Sequence, residues 1–378
     1  MSKRILIMGG GVIGLSCAWA CRSRGHEVTV LEIRECGGQA SGAAAGMLAP
    51  FWENAEGADA FFRLGLNGLR MFPKWREEIR HASGIDFEYS ASGSLTIAFH
   101  EADVLALEER LAWQQEYGMN ARIVQGQELF ELEPMLSRSA VAALYNPEES
   151  HVYAPDYVRS LEAACRAAGV RIADRLEQLD IVNWRGSSVL IRSSKGPVFE
   201  ADMLAVCAGA WSQQYEETLG IRIPVYPIRG QICAYQAPVQ PIRHMVYGSQ
   251  GYMVYKENGT LVSGASEDVA GFATNTTEKG ISRLKVWNEK LLPSLAGIEP
   301  FHAWAGLRPA TQDGFPLIGR LSEAENVLLA TGHYRNGILL SPSTALVVAG
   351  LVDGTADETA LRPFNPERFG SVMHTASN

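Results

Sequence analysis

Three glycines and one carboxylate near the start of the chain have the types and spacing to hold a dinucleotide. Gly9, Gly11 and Gly14 form a G-x-G-x-x-G run, and Glu32 stands about 20 residues past its middle glycine. In such a run the first glycine permits a tight turn, the second lets backbone approach a pyrophosphate, and the third lets a helix pack closely on a strand. The helix N-terminus then offers unpaired N–H groups and the positive end of its dipole to phosphate. A carboxylate at Glu32 accepts from ribose hydroxyls and argues against a 2′-phosphate. The run by itself does not separate NAD from FAD.

The flanking pattern supplies the elements this run needs. Ile5 to Met8 is continuously apolar, which predicts a strand buried on both faces of a parallel sheet. Residues 15–24 read as a helix stopped by Gly25, and 28–31 as a second strand closing on Glu32. The spacing therefore predicts one βαβ unit. Residues 37–49 are almost all Gly, Ala and Ser apart from Met47 and Leu48. Removing side chains there brings backbone against something flat and bulky, or lets two helices cross closely; composition leaves both open. Further helical patterns occupy 58–82, 101–118 and 156–168, with strands over 93–99, 170–172, 189–191 and 203–206. From 221 to 266 the pattern alternates and is β-rich. A buried strand over 327–332 leads through a turn into a helix around 341–351. N–H groups at that turn are placed to stabilise negative charge. With no internal repeat and no low-complexity linker, two domains are expected to interleave.

Composition narrows the classes. Of 378 residues 47% are apolar and 20% charged, which excludes disorder and leaves a globular protein with a large core. The net charge of −9, with no basic stripe, argues against a nucleic-acid partner. Six scattered cysteines show neither C-x-x-C pairs nor zinc spacing, and Cys17 and Cys21 read as small buried hydrophobes. The N-terminal apolar run is too short for a signal peptide, and no later run approaches a membrane span, so the expected compartment is the cytoplasm, with no membrane partner. Neither paired carboxylates nor a Ser-His-Asp order nor a metal cluster emerges.

Several longer segments are narrower signals: Ser41-Gly42-Ala43-Ala44-Ala45-Gly46-Met47-Leu48, Ala208-Gly209-Ala210-Trp211-Ser212, Trp304-Ala305-Gly306-Leu307-Arg308-Pro309, and Gly332-His333-Tyr334-Arg335-Asn336-Gly337. On these, nearly end to end, the chain resembles the FAD-dependent D-amino-acid oxidase and sarcosine oxidase family, and within it the bacterial glycine oxidases of thiamine biosynthesis. The resemblance implies an α/β fold, α+β overall, in which a Rossmann-type FAD domain (1–78, 150–212 and 301–378) interleaves with an antiparallel-sheet substrate domain (79–149 and 213–300). It implies FAD against Gly9, Gly11, Val12, Ile13, Gly14, Glu32, Ile33, Ala40, Ser41, Ala45, Gly46, Met47, a backbone contact near Gln178, and the run His333, Tyr334, Arg335, Asn336, Gly337, Ile338 and Leu339. The flavin is expected to be non-covalent, because the sarcosine-oxidase relatives attach it through a cysteine in the C-terminal third and this chain has none beyond Cys233.

An α-amino acid presents a carboxylate, which Arg pairs bidentately in a fixed plane. By resemblance Arg308 is that clamp, Tyr252 adds a hydrogen bond, and Arg335 gives electrostatic support. The implied reaction is hydride transfer from a small amino acid to flavin N5. It gives an imine that hydrolyses to glyoxylate and ammonia, while O2 becomes hydrogen peroxide. The resemblance also implies a homo-oligomer, a tetramer, and thiazole synthase as a possible partner. The sequence departs from the family at Gln250, where some members carry His, and at Glu267, often apolar, which leaves the choice among glycine, sarcosine and small D-amino acids open. Two other readings compete: an FAD-dependent dehydrogenase delivering electrons to a quinone or carrier, and a non-catalytic FAD-binding module.

Overall fold

Alternate residues of the first strand serve two different cores. In the strand Arg4–Met8, Ile5 and Ile7 face a layer of helices while Leu6 and Met8 face the opposite side, and all four are buried. The protein, described here from a computed structural model covering residues 1–54, 56–237 and 239–372, builds a six-stranded sheet around this strand. Its order is Leu317–Leu321, Ala324–Thr331, Met203–Val206, Arg4–Met8, Glu27–Leu31, Arg171–Ala173. All pairs are parallel except the first, a hairpin. Helices Val12–Ser23, Ala60–Ser83, Ala154–Ala167 and Gly337–Asp353 cover one face. A three-stranded antiparallel sheet, Leu179–Asn183, Val189–Ser193 and Val198–Ala201, covers the other. Fully buried Ile7, Leu15 and Val30 each contribute about 1.5–3 kcal/mol of apolar burial.

The helix Ala60–Ser83 starts where Asp59 accepts a hydrogen bond from the Phe62 N–H (2.7 Å) and ends at Gly84 in the left-handed region. It crosses Gly337–Asp353 with backbones almost touching: a Cβ on Gly68 would lie 2.2 Å from the Leu339 carbonyl oxygen. Among the described residues no helix is long and apolar enough to cross a membrane.

The second sheet has eight strands in the order His302–Thr311, Val225–Gln236, Thr260–Gly264, Gly251–Tyr255, Met245–Gly248, Ser94–Ala98, Ala142–Asn146, Arg122–Gln125. Only the pairing of Met245–Gly248 with Ser94–Ala98 is parallel. Period-two alternation sorts its residues: Met253 packs into the core under the helix Glu278–Leu291, while Tyr252 and Val254 face the first sheet's side. The α/β expectation is met, with parallel and antiparallel sheets interleaved along the chain. One difference concerns the boundary at 301: the strand His302–Thr311, grouped from sequence with the nucleotide-binding segments, pairs along its whole length with Val225–Gln236 in the eight-stranded sheet. The Trp304–Pro309 segment is the middle of that strand.

Candidate active site

A cavity of about 790 Å³ lies between the two sheets, bordered by Gly9 and Glu32 on one side and by Tyr252 and Arg308 on the other. At its nucleotide end the three glycines do three different jobs. Gly9 has φ +113°, and a Cβ there would lie 2.3 Å from the Cys207 carbonyl oxygen. A Cβ on Gly14 would lie 1.9 Å from the Gly9 carbonyl oxygen, so helix and strand close on each other only because it is absent. Gly11 is different. Its nearest neighbour would be the Ser41 hydroxyl at 3.3 Å, so no backbone crowds it and its open side borders the cavity. That is the cradle a pyrophosphate needs.

The Ser41 hydroxyl accepts from the Val12 N–H (2.9 Å) at the first turn of Val12–Ser23, leaving its own proton free to donate. Buried Glu32 accepts from the Gly10 N–H (2.6 Å) and the Arg34 N–H (2.8 Å), one on each oxygen, which fixes the carboxylate and leaves lone pairs for ribose hydroxyls. The residues present thus fit a dinucleotide of FAD's size. The 37–49 segment resolves as a short helix, Ala40–Ala43, and a strand, Met47–Leu48. Its small residues let the short helix approach the strand His302–Thr311 closely, so here the close packing is helix on strand and not the crossing of two helices. A Cβ on Gly306 would meet the Ala43 Cβ at 2.7 Å, and Trp304 donates to the Ala43 carbonyl, while Ala40, Ser41, Ala45, Gly46 and Met47 border the cavity.

Most other expected contacts also border it: Val12, Ile13, Ile33, and His333 through Ile338. Three do not. Gly14 is spent on helix packing. Gln178 is exposed with its amide on Asp180 (2.9 Å), and its neighbour Leu179 lines the cavity instead. The Leu339 side chain packs toward Gly65 in the helix Ala60–Ser83. Buried His333 hydrogen-bonds Thr344 through Nε2 (3.1 Å); burial pushes its pKa down to about 3, so the ring is neutral. Tyr334 sits at φ +48°, unusual for a side-chain-bearing residue, with its N–H on the Pro309 carbonyl (2.9 Å). That turn aims Tyr334 and Arg335 into the space beside Arg308.

At the substrate end, Arg308 lies flat across Gly230, where a Cβ would be 2.4 Å from its guanidinium carbon. One Nη donates to the Ser266 carbonyl (2.9 Å), and no carboxylate among the described residues pairs with it. Tyr252 borders the same space. Its ring fits because Gly264 lies opposite, and its hydroxyl has no hydrogen-bond partner among the described residues. Burial pushes that hydroxyl up to about 12 while Arg308 pulls it down, so it stays a neutral donor. Arg335 is already engaged, donating to Glu53 (2.7 Å) and Glu267 (3.2 Å) and stacking over Trp52 at 4.8 Å. Asn336 also donates to Glu53 (3.0 Å), and the Tyr334 hydroxyl donates to Glu267 (2.7 Å). Gln250 is exposed at the cavity rim.

Trp52 and Glu53 escape the sequence reading, though Pro50-Phe51-Trp52-Glu53 directly follows the small-residue run that it singles out. Their support is buried. Glu149 accepts from the Phe51 N–H (2.8 Å), the Trp52 N–H (3.0 Å) and the Ser94 hydroxyl (2.5 Å). Arg110 donates to the Phe51 and Trp52 carbonyls (3.1 and 2.6 Å). Burial pushes the Glu149 carboxyl up to about 7, against those hydrogen bonds.

Comparison with known proteins agrees with this geometry. Residues 4–351 match the family model of FAD-dependent oxidoreductases. The glycine oxidase of Geobacillus kaustophilus is 32% identical over 96% of both chains, and a crystal structure of glycine oxidase from that organism superposes with a TM-score of 0.91, at 30% identity over 97% of this chain and 99% of that one. The bifunctional protein ThiO/ThiG of Trichormus variabilis is 30% identical over 99% of this chain and 56% of its own length. An iminodiacetate oxidase from Chelativorans sp. BNC1 superposes with a TM-score of 0.87, at 25% identity over 96% of this chain and 99% of that one.

Proposed function

This chain belongs to the FAD-dependent oxidoreductase family, and we propose that it oxidises glycine, and with it sarcosine and small D-amino acids, using O2 as the electron acceptor. It is an FAD-dependent amino-acid oxidase. Arg308 carries the reading: a guanidinium bordering the cavity, without a carboxylate partner among the described residues, beside a buried Tyr252 hydroxyl that is also unpartnered there. A planar fork and a neutral donor on one patch suit a carboxylate.

In this proposal Gly9, Gly11, Val12, Ile13 and Ser41 hold the pyrophosphate and Glu32 the ribose. Ile33, Ala40, Ala45, Gly46, Met47 and the run His333–Ile338 flank the rest of the cofactor. Bound FAD supplies a two-electron acceptor for the pair that leaves with the substrate's Cα hydrogen, and O2 carries that pair away as hydrogen peroxide. Arg308 fixes the carboxylate in plane, Tyr252 donates to it, and Trp52, held by stacking on the buried Tyr247 (4.3 Å), forms part of the cavity wall. The resulting imine takes up water to give glyoxylate and ammonia. Similarity to the bifunctional ThiO/ThiG supports a role in supplying the thiazole moiety of thiamine, with thiazole synthase as partner; a cytoplasmic homo-oligomer rests on the family resemblance alone. The test is anaerobic. Glycine should bleach the yellow protein, and admitted air should restore the colour with one hydrogen peroxide per turnover. No bleaching by any small amino acid would overturn the proposal, and bleaching without reoxidation by air would make the protein a dehydrogenase.

A further inference from the structure

Two guanidiniums face the substrate end of the cavity, and they are not equivalent. Arg308 has no carboxylate partner among the described residues, whereas Arg335 is bracketed by Glu53 on Nε and Glu267 on Nη1. One positive charge between two negative ones leaves that group at net −1. The other cavity arginines do not change this. Arg34 sits beside Glu32 at the nucleotide end, Arg110 donates to the Phe51 and Trp52 carbonyls near Glu149, and Arg283 is exposed on the helix Glu278–Leu291. Chain connectivity brings the negative group close to the clamp. Glu267 directly follows Ser266, whose carbonyl accepts from Arg308, and the Tyr334 hydroxyl ties the Glu267 carboxylate to the same patch.

Resting on Arg308 as the carboxylate clamp, we propose that Glu267 is a specificity-determining residue: with Glu53 it cancels Arg335 and turns a net negative face toward the far end of the substrate, so that the enzyme takes amines carrying one carboxylate and rejects those carrying two. A second carboxylate would have to approach the half-exposed Glu267 and the nearly buried Glu53, while the adjacent Arg335 is already paired with both; like charges there repel, most on the Glu53 side where water screens least. The fold does not forbid a dicarboxylic amine, since a protein named iminodiacetate oxidase shares it across 96% of this chain. Rejection here belongs to side chains.

The experiment titrates the FAD-loaded protein with acetate and malonate, reading the perturbation of flavin absorption, and then compares kcat/KM for glycine and iminodiacetate. Glu267→Gln should shift the acetate-to-malonate ratio of Kd values at least about tenfold toward malonate, with a parallel gain for iminodiacetate. Glu267→Asp, which keeps the charge, should retain the wild-type ratio. Tyr334→Phe, which removes the hydrogen bond but not the charge, should keep it within about twofold. An unchanged ratio in Glu267→Gln overturns the inference, as does an equal shift in Tyr334→Phe, which would make Glu267 a positioning residue. Arg308→Ala is the separate arm. Undiminished acetate binding there would sink the clamp itself, whatever Glu267 does.

Discussion

At the nucleotide end the cavity is bordered largely by glycines, backbone N–H groups and one carboxylate from the first 47 residues, whereas the substrate end is bordered by ionic and aromatic side chains from five separate segments. The first end recognises a ligand by leaving room for it and aiming backbone donors at it. The second does so by withholding a partner from one charge, Arg308, while satisfying another, Arg335. Room is set by local chain geometry. Charge balance is set across the fold, as in the Glu53–Arg335 pair, whose members are 282 residues apart.

The largest effect should come from filling the room. Gly11 has φ −73°, which any residue can adopt, and no backbone crowds the position its Cβ would take. Gly11→Val should therefore fold and purify colourless, with flavin stoichiometry near zero by absorbance. Gly14→Ala should do the opposite kind of damage, because its Cβ would collide with the Gly9 carbonyl oxygen. There the loss should be in folding stability, about 3 kcal/mol or more by denaturant unfolding. A full complement of flavin in Gly11→Val would break the distinction between the two glycines.

Next comes the unpaired charge. Arg308→Lys keeps the charge and loses the planar fork. It should lower kcat/KM for glycine about ten- to a few-hundredfold, the equivalent of the 1.5–3 kcal/mol of a charge-assisted hydrogen bond. Arg308→Ala should fall further, and both should retain flavin, because the nucleotide end is built elsewhere. Steady-state kinetics on flavin-replete protein decide it, and near-wild-type turnover in Arg308→Ala would move the clamp to another residue.

This contrast also explains what could be read from sequence. Gly9, Gly11, Gly14 and Glu32 announce themselves because a βαβ unit is local: strand, turn, helix and terminal acid follow one another at fixed spacing. Tyr252 is legible in part, since strand alternation puts it on one face, but alternation does not say which face borders the cavity. Arg308 stands out only through resemblance, because nothing local distinguishes an arginine inside a strand as a carboxylate clamp. Glu53 gives no local signal, because its meaning depends on Arg335, and the spent state of Arg335 depends in turn on Glu267. Leu339 looks like its neighbours in the run after Gly332. One turn into the helix, however, side chains rotate away from the cavity, and Leu339 meets the helix Ala60–Ser83 instead.

The support of the substrate end should also respond to pH. Burial holds the Glu149 carboxyl near 7, against an ordinary value of 4.5. Between those values the folded protein keeps a proton that the unfolded chain releases. The associated stabilisation is therefore complete below about pH 4.5 and is lost as pH rises through 7. Relative to Glu149→Gln, the wild type should lose up to about 3 kcal/mol of unfolding free energy between pH 5 and 8. Denaturant unfolding of the two flavin-loaded proteins at both pH values measures it. A difference independent of pH would mean that Arg110 and the three hydrogen bonds keep the carboxylate ionised despite its burial.

The smallest effect separates the two members of the clamp. Tyr252 is buried, and its hydroxyl has no hydrogen-bond partner among the described residues, so Tyr252→Phe removes a donor without orphaning an acceptor and should leave stability nearly unchanged. Lifted to about 12, the hydroxyl is neutral at every pH where the enzyme is assayed, and a neutral hydrogen bond contributes about 0.5–1.5 kcal/mol. The expected loss in kcat/KM is thus about two- to tenfold, well below that of Arg308→Lys. It should appear mainly in KM, because the bond orients the carboxylate in both the ground state and the transition state. Acetate binding should weaken by the same factor, read from flavin absorption, with no change in flavin content. A loss as large as that of Arg308→Ala, or one confined to kcat, would mean that Tyr252 acts on the reacting end of the amino acid and not on its carboxylate.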